Sequence, residues 1–255
     1  MRVEQIFIES TKGKIALAIN HPEIKTKKLA ILCSGFLDSK DYAHLAGLAE
    51  DLCKEGYTVA RFDATGIWES KSVGEYLTTH YLEDLKNVID FMEKQDNFTY
   101  LLLGGHSKGG FMALYHACQD PRVSALLVIM SAYPFIKESN KPIIEKWEKL
   151  GKRISHRDIP NSNKTKEIII PFSYVADRLQ YDLLAKLPNL QAPLIMVAGA
   201  EDQVALPEDV KTLFDQAPEN KKYLLIPGVG HDYRKYPEQI KLINDIIITN
   251  LKQLI

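Results

Sequence analysis

The chain has 255 residues, 45% of them hydrophobic, and sets 32 Lys and Arg against 33 Asp and Glu for a formal net charge of −1. At about 150 residues per domain, this length suits one large α/β domain with an insertion and a sizeable core. Near-neutral charge removes the excess of Lys and Arg that a dedicated nucleic-acid binder needs.

The first ten residues alternate apolar and charged instead of running apolar, so they read as a strand and not as a secretion signal. No window reaches the roughly 18 apolar residues that a membrane span requires. Three cysteines, Cys33, Cys53 and Cys118, lie in apolar segments without metal-type spacing. They are expected to be reduced core thiols of a cytoplasmic protein, with no metal site.

Val3–Ile8 and Lys14–Ile19 alternate with period two around Thr11-Lys12-Gly13, which predicts an opening hairpin. The rhythm then changes to strands and helices in turn. An apolar run at Leu29–Cys33 leads to a helix over Tyr42–Glu55 and a strand at Tyr57–Phe62. A helix over Tyr81–Lys94, a strand at Tyr100–Leu103, a helix from Lys108 and a strand at Ala125–Met130 follow. From Tyr133 to about Leu187 the sequence turns lysine-rich and irregular, with four prolines. The alternation resumes with a strand at Leu194–Ala200, a helix at Pro207–Gln216, a strand at Lys222–Ile226 and a helix from Pro237 to about Leu251. The pattern predicts an α/β fold, a mostly parallel eight-stranded sheet with helices on both faces. The core spans 1–132 and 188–255, and residues 133–187 form an insertion.

Gly105-His106-Ser107-Lys108-Gly109-Gly110 follows a predicted strand and opens a predicted helix. A serine on such a turn has its hydroxyl presented above the sheet, and the flanking glycines avoid clashes with neighbouring backbone. Its hydroxyl needs a base to take the proton and a carboxylate to orient that base. In the chain order Ser, acid, His, the acid is Asp202, just past the strand Leu194–Ala200, and the base is His231, past the next strand. Both are expected at the same edge of the sheet as Ser107. Glu201 and Asp232 compete for the acid less well. His21, His44, His80, His116 and His156 read as surface or core-edge residues, and His106 as packing beneath the turn.

Acyl transfer also needs two amide donors for the developing oxyanion. The backbone N–H groups of Lys108 and Phe36 are the candidates, with Gly35 letting the backbone approach a substrate. The Lys108 side chain is expected to be solvated at the helix start, the other reading being that its ammonium helps set a preference for anions or interacts with Asp or Glu from the insertion.

These motifs resemble the α/β-hydrolase superfamily, in particular the branch of cinnamoyl and feruloyl esterases, monoacylglycerol-lipase-like enzymes and serine-aminopeptidase-like proteins. Gly35-Phe36 is similar to the branch's His-Gly-Phe oxyanion loop, with Ser34 in place of the histidine. Arg61 to Ser70 resembles its strand followed by Gly-X-Gly-X-Ser, with Trp68 at the second glycine. The resemblance implies that residues 133–187 form a cap over the nucleophile. Between 137 and 166 this segment holds nine Lys or Arg against four Asp or Glu; such a run is most simply a wet helix face, and otherwise a field that draws anions. Trp68, Trp147, Phe172 and Tyr174 are candidates for lining a substrate pocket.

The expected activity is that of a serine esterase acting on a small-molecule ester without a cofactor, as a monomer or homodimer. An acyltransferase or aminopeptidase-like amide hydrolase shares the same acyl-enzyme. A non-catalytic ligand-binding protein on the same fold is the alternative from another class.

Overall fold

Two nine-residue strands open the chain, β1 (Arg2–Ser10) and β2 (Gly13–His21), paired antiparallel from Arg2 opposite His21 to Ser10 opposite Gly13. The computed structural model describes residues 1–138 and 140–254; Ser139, in the predicted insertion, and Ile255 lie outside them. β3 (Lys28–Cys33), α1 (Ala43–Lys54) and β4 (Tyr57–Phe62) follow, then a two-residue strand β5 (Lys71–Ser72) and α2 (Thr78–Gln95). β6 (Tyr100–His106), α3 (Lys108–Ala117) and β7 (Ala125–Ile129) complete the first half of the core. The second half holds β10 (Leu194–Gly199), α7 (Pro207–Gln216), β11 (Lys221–Ile226) and α8 (Pro237–Leu254).

Eight strands run in the order β1-β2-β4-β3-β6-β7-β10-β11, and β5 adds a ninth against β2. Every pair from β4 to β11 is parallel. The central strands β3, β4, β7 and β10 are apolar along nearly their whole length and buried, as strands covered on both faces must be. Helices cover both sides. Cys33, Cys53 and Cys118 are free and buried. Among the described residues no helix is long and apolar enough to cross a membrane.

The insertion is more regular than its proline content suggests. It holds α4 (Lys141–Leu150), an antiparallel hairpin of β8 (Lys152–Asp158) and β9 (Thr165–Pro171), then α5 (Ser173–Leu179) and α6 (Leu183–Lys186). The hairpin belongs to a sheet of its own, separate from the core. Polar anchors join it to the core. The Asp177 carboxylate on α5 accepts from the backbone N–H groups of Thr78 (2.6 Å) and Thr79 (3.2 Å) and from the Thr79 hydroxyl. It thereby caps the N-terminus of α2, where unsatisfied N–H groups and the helix dipole favour a negative charge. On the far side, Asp158 at the end of β8 takes both guanidinium nitrogens of Arg234, at 2.5 and 2.8 Å, and its carbonyl accepts from the Tyr42 hydroxyl at 2.8 Å.

Asp177→Ala leaves buried donors of α2 without a partner. It is expected to lower unfolding stability by about 2 kcal/mol, read from urea denaturation; a midpoint unchanged from the parent would show that this anchor does not hold the insertion.

Candidate active site

Close packing fixes the turn that carries Ser107. A Cβ on Gly109 would lie 2.1 Å from the Cys33 carbonyl oxygen, and one on Gly105 would lie 2.4 Å from the Gly109 carbonyl carbon. The first turn of α3 therefore presses directly against β3 and β6. Ser107, between them, is held at φ 54° and ψ −121°, a region that L residues rarely occupy. Its hydroxyl lies at the N-terminus of α3, where the helix dipole favours developing negative charge.

The loops after β10 and β11 are tied to each other. Ala200 N–H donates to the Ile226 carbonyl at 2.9 Å, and Glu201 N–H donates to the Val229 carbonyl at 3.0 Å. Asp202 is buried, and its Oδ1 accepts from the N–H groups of Val204 and Ala205, both at 2.8 Å. Its Oδ2 accepts from His231 Nδ1 at 2.7 Å, which leaves Nε2 to accept the Ser107 hydroxyl proton across 3.0 Å. Three residues from three loops thus form one chain of hydrogen bonds with a defined imidazole tautomer. Asp232 instead pairs with Lys235 and Arg234, and Glu201 is exposed.

His106 is buried beneath this chain, as the sequence suggests, its ring centroid 4.8 Å from that of His231 and 5.0 Å from that of His44. His44 departs from expectation. It is buried at 1% exposure, and neither of its ring nitrogens has a hydrogen-bond partner among the described residues. Burial pushes its pKa down to about 3, and burial lowers that of His106 as well. Beside them burial alone would raise the Asp38 carboxyl, but His106, Arg157 and His44 outweigh it and hold the group at about 2.

The loop after β3 carries Phe36. Arg157, from β8 of the insertion, donates one nitrogen both to the Phe36 carbonyl and to Asp38 Oδ1, the latter at 2.9 Å. That clamp fixes the peptide next to the Phe36 N–H, and sequence reasoning missed it because β8 lay in a segment read as irregular. Ser34, where the resembling branch has histidine, is buried with its hydroxyl 3.3 Å from the Tyr81 hydroxyl. The Lys108 N–H, first in α3, has no acceptor within the helix.

A cavity of about 390 Å³ opens beside Ser107 and Phe36. Of the four pocket candidates only Tyr174 lines it. Trp147 stacks on Tyr174 from within the insertion, with centroids 5.6 Å apart, and its indole N–H is bound to the Ile170 carbonyl. Phe172 packs on Trp147. Trp68 lines a separate cavity and donates its indole N–H to the Leu37 carbonyl at 3.0 Å. It sits at φ 52°, which explains why the resembling motif has glycine there. Phe111, Phe135 and Arg178 line the Ser107 cavity and were not foreseen. A larger correction concerns the Lys108 side chain, which is not solvated: it is 8% exposed, and its Nζ is enclosed without a partner.

Residues 24–174 match the family described as "Serine aminopeptidase, S33". The chain belongs to this family of α/β hydrolases. It is 28% identical to the "Uncharacterized 31.7 kDa protein in traX-finO intergenic region" of Escherichia coli, over 82% of this chain and 85% of that one. Among solved structures it resembles Est1E from Butyrivibrio proteoclasticus bound to ferulic acid, with a TM-score of 0.77 and 19% identity over 98% of both chains. It also resembles the α/β hydrolase GrgF from Penicillium sp. sh18, with a TM-score of 0.78 and 19% identity over 100% of this chain and 98% of that one. At such identities the likeness is one of fold.

The buried histidines bear on acid stability. His44 is neutral in the folded protein down to about pH 3 but takes a proton near its ordinary value of 6.5 once unfolded. Its contribution is therefore complete above about pH 6.5 and is lost as the pH falls towards 3. Asp63 and Asp84, raised to about 6 chiefly by burial, act in the opposite sense, since theirs is lost as the pH rises through 6. His44→Phe isolates the first effect. Between pH 4 and 6.5 its unfolding free energy is expected to change with rising pH by a slope more negative than the parent's, by up to about 1.4 kcal/mol per pH unit for one proton. Equal slopes in denaturant titrations across that range would show that His44 does not stay neutral.

Proposed function

We propose that the protein is a serine hydrolase that cleaves small carboxylic esters through an acyl-enzyme. The observation that carries this reading is the hydrogen-bonded chain Ser107–His231–Asp202 at the mouth of a cavity that also meets Phe36 and Lys108.

In this mechanism Ser107 Oγ attacks the ester carbonyl carbon while His231 Nε2 takes the hydroxyl proton. Asp202 holds Nδ1–H and stabilises the imidazolium. The carbonyl oxygen becomes an oxyanion, and the N–H groups of Phe36 and Lys108 donate to it; losing one such donor typically costs about a hundred- to a thousandfold in turnover. The intermediate collapses, the alcohol leaves with the proton from His231, and an acyl-Ser107 ester remains. Water then repeats the attack with His231 as base, freeing the acid and restoring Ser107. These steps proceed without a cofactor.

The family also contains aminopeptidases. An aminopeptidase would hold its substrate's free amine with carboxylates, yet the residues that line the Ser107 cavity include Lys108, Lys137 and Arg178 and no Asp or Glu. Charge therefore favours ester hydrolysis. Residues 133–187 act as the cap that shapes the cavity, and the free buried thiols fit the cytoplasmic reading.

A series of p-nitrophenyl esters from acetate to laurate, with a methyl hydroxycinnamate, tests the proposal on the parent and on Ser107→Ala. Turnover by the parent and a fall of about 10³-fold or more in the variant are expected. Absence of turnover together with no labelling of Ser107 by a fluorophosphonate would overturn the hydrolase assignment. Labelling without ester turnover would move it to amides.

A further inference from the structure

Lys108 and Arg178 share the cavity beside Ser107, and among the described residues no Asp or Glu lines it. The Lys108 Nζ is ringed by aromatic faces, 3.9 Å from the centroid of Tyr76, 4.4 Å from that of Tyr174 and 5.5 Å from that of Tyr81. Such faces attract a cation without accepting its N–H hydrogens. All three N–H donors are unspent, since Nζ has no hydrogen-bond partner among the described residues.

Arg178 sits over Phe111, its Cζ 3.4 Å from the ring centroid, with 5% of its surface exposed. Its one hydrogen bond among the described residues is a long contact of 3.4 Å from Nη1 to the Tyr181 carbonyl. The acid next to it in sequence, Asp177, is already engaged by Thr78 and Thr79. The third cation at the cavity, Lys137, is satisfied by Asp209. Two buried basic side chains, Arg178 and Lys108, thus lie at the nucleophile's cavity with donor capacity to spare, and Asp177, the acid that acts on both, spends its hydrogen bonds on α2.

We infer that the cavity takes a carboxylate carried by the substrate, so that the enzyme's esters are anionic ones such as half-esters of dicarboxylic acids, with Arg178 as the receiving fork and Lys108 as the charge behind it. This deepens the esterase reading and rests on it for the chemistry at Ser107. A planar guanidinium matches the two oxygens of a carboxylate, and Arg178 is among the residues that line the cavity. Burial lowers Arg178 to about 10, so it stays charged at neutral pH. Burial and then Arg178 push Lys108 well below the ordinary lysine value, with Asp177 acting against them, so an anion in the cavity would favour its charged form.

The test separates binding from turnover. On the Ser107→Ala background, calorimetry compares mono-p-nitrophenyl suberate with its ω-methyl ester, and 4-carboxyphenyl octanoate with its methyl ester, which place the charge on the acyl and the alcohol side. In at least one pair the carboxylate should bind about tenfold tighter or more, on the scale of a charge-assisted hydrogen bond. Arg178→Gln should bring that ratio near one, and Arg178→Lys should keep part of it. Lys108→Met reads the same ratio should Arg178→Gln fail to fold. Neutral members that bind as well as the anions in both pairs would overturn the inference. Turnover of the neutral esters by the parent reports on the esterase reading alone. Neutral turnover without anion preference removes only the inference, and anion preference without turnover removes only the esterase.

Discussion

Everything at the candidate site depends on how closely α3 can approach β3. The Cys33 carbonyl lies where a Cβ of Gly109 would be, so the helix starts against the sheet and Ser107 has no room for a relaxed conformation. Holding a serine at φ 54° costs on the order of 1–3 kcal/mol, which the surrounding buried core must offset. The same contact brings the start of α3 beside the end of β3. The Lys108 N–H and the loop that carries Phe36 then flank one cavity. Strain at the nucleophile and proximity of the two amides are consequences of one steric fact.

The insertion depends on that frame and in turn completes it. Tyr174 is stacked between Trp147 on one side and Tyr76 on the other, at 5.6 and 5.9 Å with nearly parallel planes. An aromatic column therefore runs from the insertion into the core. Arg157 extends from the hairpin to the Phe36 carbonyl and Asp38, and Asp38 in turn lies against His106 under His231. The loop that positions one amide and the ring that backs the imidazole are thus braced by a segment some 120 residues away in sequence. Contacts from residues 133–187 are thus part of the site's scaffold.

This division explains what could be read from the sequence. Ser107, Asp202 and His231 each follow an apolar strand within a few residues, and a parallel sheet puts all such loops at one edge. Local signals suffice for them, as for the eight strands of the main path. The surroundings of Lys108 are set by Tyr76 and Tyr174, which lie about thirty residues before it and more than sixty after it, and no pattern near Lys108 reports on either. Trp147 and Phe172 looked like pocket residues because they are aromatic and lie in the insertion. Trp147 faces its interior, a distinction that depends on how a ten-residue helix is rotated, and Phe172, just before α5, packs on Trp147. Alternation in Lys152–Asp158 and Thr165–Pro171 was available as a hairpin signal, masked by the charges along it.

The anchors of the insertion are unevenly distributed. Asp177, the Tyr174 stack, Arg157 and the Asp158–Arg234 pair all hold the hairpin and α5. The rim made by Pro134, Phe135, Lys137, Asn140 and Ile143 has one ionic tie among the described residues, Lys137 to Asp209 on α7. Buried and multiply bonded contacts open far more rarely than a rim held by one partly exposed pair. The wall with Phe36, Tyr174 and Arg178 is therefore the more firmly held of the two, and it is the wall on which the proposed anion contact lies.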